Sequence, residues 1–459
     1  MSTFIPRRAP LSVALFSLGL LLHPNTYATE TTSAQLEQLK ARITALEHAL
    51  ANPLPTTATA PNTPLQQAIP QTTTTANRAS VSTPPVTTPH AALGKTEFRY
   101  SGYIKLDAIA SRFDSGQLNS GNVGRDFYIP ARTPVGHAHA SQSLDLHAKQ
   151  SRLILATSTP QDNGKTIDSH IEMDFMVNLE NKGNKRTTNG YEPELRQAFV
   201  KYGDWMAGQA WSNFMDVSAL PDTLDFIGAA EGTVFVRQAQ LRYQHGNWWF
   251  SIENPETTLS ILPSDPNNAL GNLVTGASRL PDITARYTHP LEQQHYWSAA
   301  VLVRELRQQV GAHNETSAAF GVSASGRYHL TQQTQVRGAM TYGDGIGRYV
   351  GLNLANDALV DPANGQLRNI AVWAGFLALQ HQWQPKLRSS AGASWFEADI
   401  PHHSPLGLTD SAHSAHLNLI YQLQPKLDVG AELLYGQRKR DDGASGKLNR
   451  LQLSAKYLF

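Results

Sequence analysis

The chain has 459 residues, and its 38 Lys and Arg side chains nearly balance its 37 Asp and Glu side chains. The resulting net charge of +1 gives no support for a nucleic-acid partner. Cysteine is absent, which excludes disulfides, thiolate catalysis and cysteine-ligated metal sites.

The N-terminus has the layout of a secretory signal peptide. Arg7 and Arg8 are followed by an apolar run at 11–22 and by a small-residue cleavage site that ends at Ala28. The run is too short for a membrane-spanning helix, and a proline follows it closely. We therefore predict a cleaved signal peptide at residues 1–28.

Residues 29–51 are predicted to form a short coiled-coil helix that ends before Pro53. Such a short helix is marginal alone in water, so we expect several copies to associate; the alternative is a single amphipathic helix lying on another surface. Residues 52–93 are rich in Thr, Pro and Ala and are predicted to be a disordered linker. The helix has an a/d seam with spacings of three and four, made by Leu36, Leu39, Ile43, Leu46 and Leu50.

Residues 94–459 alternate apolar and polar side chains with a period of two. In the first such segment, Phe98, Tyr100 and Ile104 alternate with Arg99 and Lys105. The segments are about 9–15 residues long, and the apolar face often begins or ends on an aromatic residue, which is typical of transmembrane β-strands. We therefore predict an all-β fold, an antiparallel β-barrel in contact with the lipid of the bacterial outer membrane.

The predicted strands number about sixteen, and single-chain bacterial barrels require an even number. Long and short connections alternate, which places the long loops outside and the tight turns in the periplasm. One long segment is divided at Gly203 into two predicted strands, which would be connected by almost no turn. The long connections are 113–142, 181–191, 212–232, 254–280, 344–368 and 400–410. The strands are 98–112, 143–156, 166–180, 192–203, 204–211, 233–244, 247–253, 281–289, 295–307, 315–330, 333–343, 369–383, 386–399, 411–423, 425–438 and 447–459.

A barrel of this width leaves an aqueous channel, so its inward-facing side chains are expected to carry the function. Arginine on that face would raise the local concentration of anions. Arg152 is included because the alternation breaks near Gln150, as at a β-bulge. The competing explanation is neutralisation by the inward acids Asp168, Glu172, Asp174 and Glu253. The predicted pore-lining basic residues are Arg99, Lys105, Arg152, Arg196, Arg242, Arg286, Arg304, Arg327, Arg337 and Arg388.

The loop at 212–232 is long for a strand connection and rich in both apolar and acidic residues. Exposed to water, its apolar residues would form a sticky patch. We predict that it folds into the barrel as a constriction loop, with its acids opposite the arginines; the alternative is an external loop packed at a subunit contact. Its acids are Asp216, Asp222, Asp225 and Glu231.

No catalytic motif is present, and we expect neither an enzyme nor a cofactor. His402 and His403 are adjacent in a loop, where a solvated pair is a simpler explanation than a metal site. The glycines at 343–347 lack the strand–helix context of a nucleotide site.

Five short motifs stand out along the chain. They are DFYIP at 126–130, GQAWSNFMD at 208–216, PDTLDF at 221–226, VFVRQ at 234–238 and ENPET at 253–257. In this order and spacing they resemble the DcaP-like outer-membrane porins. The similarity extends over essentially the whole mature chain, including the N-terminal helix, and the motifs are most specific between about 196 and 257. The loops at 113–142 and 344–368 match the family poorly.

This resemblance implies a homotrimeric porin whose third external loop folds into the lumen and which passes small anionic solutes, dicarboxylates among them. Passive diffusion of such solutes is our functional interpretation. The alternative is an adhesive or structural barrel that anchors the envelope to the cell wall through its periplasmic helix.

The last strand, 447–459, ends the chain on an aromatic residue. Its apolar residues, every second position from Leu451, are predicted to face lipid, and Arg450 to face the channel. Tyr457 and Phe459 resemble the C-terminal signal that is read by the outer-membrane assembly machinery.

Overall fold

The computed structural model describes residues 90–93, 95–176, 187–262, 271–291, 295–310, 313–361, 363–402 and 405–459. The predicted signal peptide, the coiled-coil helix and nearly all of the linker lie outside these ranges. Among the residues placed, no helix is long and apolar enough to cross a membrane.

The described chain is almost entirely β-structure, with short 3₁₀ turns at Val123–Arg125, Pro130–Arg132, Val217–Ala219 and Gly347–Tyr349. Its strands are β1 His90–Leu93, β2 Thr96–Phe113, β3 Ser141–His147, β4 Arg152–Pro160, β5 Thr166–Asp174, β6 Glu194–Tyr202, β7 Trp205–Trp211, β8 Arg237–His245, β9 Trp248–Glu253, β10 Thr257–Ile261, β11 Gly271–Thr275, β12 Asp282–Pro290, β13 Tyr296–Val310, β14 His313–His329, β15 Thr334–Asp344, β16 Ala358–Val360, β17 Leu367–Asn369, β18 Ala371–Gln384, β19 Leu387–Asp399, β20 Thr409–Gln424, β21 Leu427–Arg440 and β22 Ser445–Leu458.

Strands β2–β9, β12–β15 and β18–β22 form a closed antiparallel barrel of sixteen strands, in which β3 and β4 count as one. This confirms the predicted fold class. β2 pairs with both β3 and β4, so those two pieces are one barrel strand interrupted at 148–151. β22 pairs with β2 from Tyr103 opposite Leu458 to Phe113 opposite Leu448. Closure leaves no unpaired edge, which is required because hydrocarbon offers no hydrogen-bond partner to a free strand edge.

Exposed large apolar side chains recur on the outward face of the barrel strands. In β22, Leu451, Leu453 and Tyr457 are exposed, while Arg450 and Gln452 are buried inside, as the alternation predicted. Aromatic residues gather at the two ends of the strands, as expected for girdles at membrane interfaces. Those near the short turns are Tyr202, Trp205, Trp248, Trp297, Tyr328, Trp383, Tyr421 and Tyr457; those near the other end are Phe320, Trp373 and Trp395.

Two-residue turns join β6 to β7, β8 to β9, β18 to β19 and β20 to β21, and these four turns lie at the same end of the barrel. The predicted split at Gly203 is correct: β6 and β7 are joined by residues 203–204, and Gly203 has φ +58°. Glycine takes this left-handed conformation at no steric cost, so an almost absent turn still reverses the chain.

Three long loops fold into the barrel, whereas the sequence predicted inward folding only for 212–232. The segments 114–140 and 345–370 also contribute fully buried side chains, among them Phe127, Tyr128 and Tyr349. They pack on inward residues of the strands to form two apolar clusters. The outer part of the lumen is therefore filled by loops, and the channel is not simply a water-lined cylinder.

A second, four-stranded sheet joins two of the external loops. Its order is β11-β10-β16-β17, and β10 runs parallel to β16. Asp357 and Thr258 link the two loops by a pair of hydrogen bonds. The Asp357 N–H donates to the Thr258 carbonyl at 2.8 Å, and the Thr258 N–H donates to the Asp357 carboxylate at 2.9 Å.

Candidate functional site

Residues 212–236, which we call the inward loop, cross the interior of the barrel. Within 212–232 no side chain is exposed. Phe214 and Met215 enter the larger apolar cluster. Asp216 then caps the turn Val217–Ala219 by accepting the Ser218 N–H at 3.0 Å. Burial of these apolar residues explains why the loop leaves water and packs inside.

The tip of the inward loop is anchored to the opposite wall by Glu432 on β21. Its carboxylate accepts the backbone N–H of Leu224 at 2.7 Å and of Asp225 at 3.0 Å, and also the Asn418 amide at 3.0 Å. Asn418 in turn donates to the Asp222 carbonyl at 2.8 Å. A buried carboxylate needs several donors, and the loop backbone supplies two of them.

Side chains on the lumen wall donate hydrogen bonds to backbone carbonyl groups of the inward loop. Lys105 on β2 donates to the Leu224 carbonyl at 2.6 Å, and Gln452 on β22 donates to the same oxygen at 2.8 Å. Arg337 on β15 donates to the Leu220 carbonyl at 2.7 Å. The first and last barrel strands, β2 and β22, therefore both bind the loop where the barrel closes.

The four acids of the loop divide into two kinds. Asp216 and Asp222 are half-buried: Asp216 accepts hydrogen bonds from Ser325 at 2.6 Å, and Asp222 forms an ion pair with Arg388 at 2.7 Å. Asp225 and Glu231 are buried, and burial raises the pKa of both carboxyl groups above the ordinary value. Only the first two therefore lie where a solute in the lumen could meet them.

Six of the predicted basic residues are neutralised by acids. Arg152 and Arg196 share Glu172 and Asp174, with Arg196 at 2.6 Å from each. The competing explanation based on ion pairing is thus correct for this part of the wall, although Asp168 and Glu253 bond to neutral groups. The remaining pairs are Arg99–Glu97, Lys105–Asp107, Arg304–Asp282, Arg304–Asp357, Arg388–Asp222 and Arg388–Asp428.

A second part of the wall carries four further arginines, three of which form no ion pair within the described ranges. Arg242, Arg286 and Arg337 lie on β8, β12 and β15 and form no ion pair within the described ranges; Arg242 and Arg337 donate to neutral oxygens. Arg327 on β14 lies directly opposite Arg337 in the strand pairing. We call Arg242, Arg286, Arg327 and Arg337 the basic sector.

The interruption predicted near Gln150 is present. Between β3 and β4 the Ser151 N–H donates to the Ala148 carbonyl at 3.0 Å, which forms a turn within the barrel strand. This break shifts the parity and turns Arg152 inward, where it contacts the Tyr103 ring at 5.3 Å.

Several functional candidates were missing from the predicted set. The alternation of the last strand predicts that Arg450 and Lys456 face the channel, although neither is among the ten residues named as pore-lining; Lys456 lies 4.3 Å from the Tyr103 ring centre. Arg348 binds Asp282 at 2.9 Å from an irregular external loop, and no periodic signal marks it.

The two C-terminal residues occupy different surroundings. Tyr457 is 47% exposed on the outer face, and Phe459 continues the pairing with β2 by donating its N–H to the Gly102 carbonyl at 3.1 Å. In the part of the chain that the structure describes, no group of three or more metal-ligating side chains comes together. His403 of the histidine pair lies outside the described residues.

Comparison with known proteins identifies the family. The family model of the DcaP outer membrane protein matches residues 62–459. The outer membrane channel DcaP of Acinetobacter baumannii is 23% identical with a TM-score of 0.65, covering 80% of this chain and 99% of that one. An anion-selective porin from Comamonas acidovorans is 10% identical with a TM-score of 0.46, covering 79% and 100%. OmpT of Vibrio cholerae is 9% identical with a TM-score of 0.47, covering 81% and 100%.

No curated protein sequence matches the chain. The family match nevertheless spans most of its length, and the barrel described above has the porin architecture. The protein therefore belongs to the DcaP family of outer-membrane proteins.

Proposed function

We propose that the protein is a passive channel of the outer membrane for small solutes, with a preference for anions, and that the inward loop forms its constriction. The observation that carries this proposal is the unequal charge of the lumen wall around that loop. Acids on β5 neutralise the cations on β4 and β6, whereas Arg242, Arg286 and Arg337 form no ion pair within the described ranges.

The inward loop supports the constriction because it lies inside the barrel at a fixed position. Its backbone is bound by Glu432, Lys105 and Arg337, which lie on three different strands. A solute must pass between this loop and the basic sector. A positively charged wall in a low-dielectric surrounding concentrates anions at such a narrow point.

Carboxylate solutes fit this wall best. A guanidinium can bind both oxygens of a carboxylate at once, so arginine favours carboxylates over simple halides. Arg327 and Arg337 are direct cross-strand neighbours, and like charges in that position repel. A dicarboxylate bridging them would relieve this repulsion, in agreement with the solute class that the family resemblance implied.

Reversal potentials across planar bilayers test the charge preference. With a salt gradient, the wild-type channel is expected to pass chloride more readily than potassium. Combining Arg327→Gln and Arg337→Gln should shift the reversal potential toward cation preference, because both charges face the lumen. Arg440→Gln, in an outer turn where Arg440 pairs with Asp442, is the matched control and should behave as wild type. Cation preference in the wild type would overturn the proposal.

We also propose that the protein assembles as a homotrimer through its periplasmic helix. The a/d seam from Leu36 to Leu50 supports association of several helices. A role of this helix in binding the cell wall is the competing hypothesis, and deletion of the helix separates the two.

A further inference from the structure

Arg286 on β12 is buried and forms neither an ion pair nor a hydrogen bond with any described residue. Its side chain faces the lumen wall and is 6% exposed, and its Nε and Nη2 atoms have no hydrogen-bond partner among the described residues. A buried guanidinium edge without hydrogen-bond acceptors is energetically unfavourable. An anion bound at this edge would supply the acceptors.

A second arginine lies next to Arg286 across one strand. Arg242 on β8 and Arg286 both contact the ring of Trp249 on β9, with guanidinium carbons 5.4 Å and 5.9 Å from the ring centre. Arg242 donates only to neutral acceptors within the described chain, the Trp211 carbonyl and Gln240 Oε1. Two arginines that form no ion pair within the described ranges are thus held beside one aromatic ring.

The acids closest to this pair are already occupied. Asp216 is bound by hydroxyl groups, and Glu253 accepts from one backbone and two side-chain donors, so neither turns to Arg286. The donors are Ser325 and Tyr296 for Asp216, and Asn213, Gln238 and Thr284 for Glu253. The protein therefore keeps the two arginines charged and unpaired, although carboxylates lie nearby.

The unpartnered atoms indicate the ligand. Nε and Nη2 form the edge of a guanidinium that can bind two oxygens of one carboxylate or sulfate. In the structure this edge is covered, so the long side chain must change rotamer to present it, a motion on the nanosecond scale. An oxyanion bound there would also screen the repulsion between the two guanidinium groups.

We propose that Arg286 and Arg242, positioned by Trp249, form an oxyanion-binding subsite in the lumen wall, at which carboxylates or sulfate pause during passage. The subsite rests on the proposed function, because anions must reach it through the channel. In this arrangement Trp249 is a positioning residue: its ring holds both cations in place without neutralising either of them.

Inhibition of the chloride current by added sulfate or succinate tests the subsite in the full-length channel. Both oxyanions are expected to reduce the wild-type current. Arg286→Gln should raise the half-inhibitory concentration about tenfold, because one charge-assisted pair is lost. Trp249→Leu should raise it as well although no charge is removed, and Trp249→Phe should restore it. Arg440→Gln is the control and should match the wild type.

The outcomes separate the subsite from the proposed function. If the wild type prefers cations, the anion channel is wrong. If the channel prefers anions but Arg286→Gln and Trp249→Leu are inhibited like the wild type, only the subsite is wrong. An effect of succinate without one of sulfate would assign the subsite to carboxylates alone.

A structural measurement decides the case in which the variants do not assemble. Crystals of the wild-type protein soaked in selenate should show anomalous density next to Arg286. Absence of density there, in crystals that bind selenate elsewhere in the lumen, would overturn the subsite.

Discussion

At the scale of single residues, buried acids fix the position of the inward loop. Glu432 accepts two backbone N–H groups and one amide, which explains how its charge is tolerated inside the barrel. Glu231 lies fully buried near Ser394, Ser414 and His416, and burial raises its pKa.

Glu231→Gln is expected to make the barrel more stable at neutral pH. The folded-state pKa of Glu231 lies above its ordinary value of 4.5, so the folded state binds the proton more tightly than the unfolded state. Its contribution is therefore fully present below the ordinary pKa and is lost as pH rises through the raised one. The midpoint of heat-induced barrel unfolding, followed on gels across pH, measures this effect.

The glutamine variant should lack the part of this pH dependence that comes from Glu231. Asp162→Asn serves as the control, because the Asp162 side chain is almost fully exposed in the turn between β4 and β5. Identical pH profiles for the wild type and Glu231→Gln would contradict the prediction.

At the scale of elements, one end of the inward loop, at Gly232, lies directly against the backbone of β18. A Cβ atom on Gly232 would lie 2.0 Å from the Gly375 carbonyl oxygen on β18, and the Gly232 N–H donates to Ser394 at 3.1 Å. The end of the loop therefore lies on the β18 backbone, and only glycine permits this approach.

Gly232→Ala is expected to push the loop away from β18. The clash is with backbone, so we expect a destabilisation of about 1–3 kcal/mol, as for overpacked cores, and a changed single-channel conductance. Heat-induced unfolding and bilayer recordings measure the two effects. Gly443→Ala is the control, since a Cβ there meets nothing within 4 Å, although φ is +84° and adds some local strain. Wild-type conductance in Gly232→Ala would count against a constriction by this loop.

The C-terminal strand makes a separate prediction about assembly. Phe459 pairs with Gly102 on the first barrel strand, at the point where the barrel closes. Deleting Phe459 is expected to lower the yield of folded barrel in the outer membrane, and Phe459→Tyr should retain it. Quantifying folded and unfolded forms in membrane fractions measures this, and a normal yield after the deletion would refute the assembly role.

At the scale of the whole molecule, the barrel and the N-terminal segment are expected to work independently. Deleting residues 30–89 spares β1, which pairs with β2. Single-channel conductance should remain, because the lumen is built from later residues, while the trimer should be lost if the helix drives assembly. Conductance recordings and the mass of the detergent-solubilised complex measure the two effects. Loss of conductance with an intact trimer would contradict both expectations.

Much of the barrel could be predicted because lipid imposes a local rule on each strand. Every second side chain must be apolar wherever a strand faces hydrocarbon, so period-two alternation marks the strands without knowledge of their partners. The same rule placed Arg388 and Lys105 inside. The break at Gln150 was also visible locally, because a bulge interrupts the alternation itself.

The lumen could be predicted only in part, since contacts there join distant parts of the chain. Glu432 and Leu224 are 208 residues apart, and nothing in the local pattern of either residue indicates their hydrogen bond. Whether an inward arginine is neutralised, as Arg196 is, or left unpaired, as Arg286 is, depends on which acid the barrel brings next to it. The sequence by itself thus determined the lipid-facing surface and the strand order, whereas only the tertiary structure decided the charge of the channel, because charge balance depends on distances between strands that are remote in sequence.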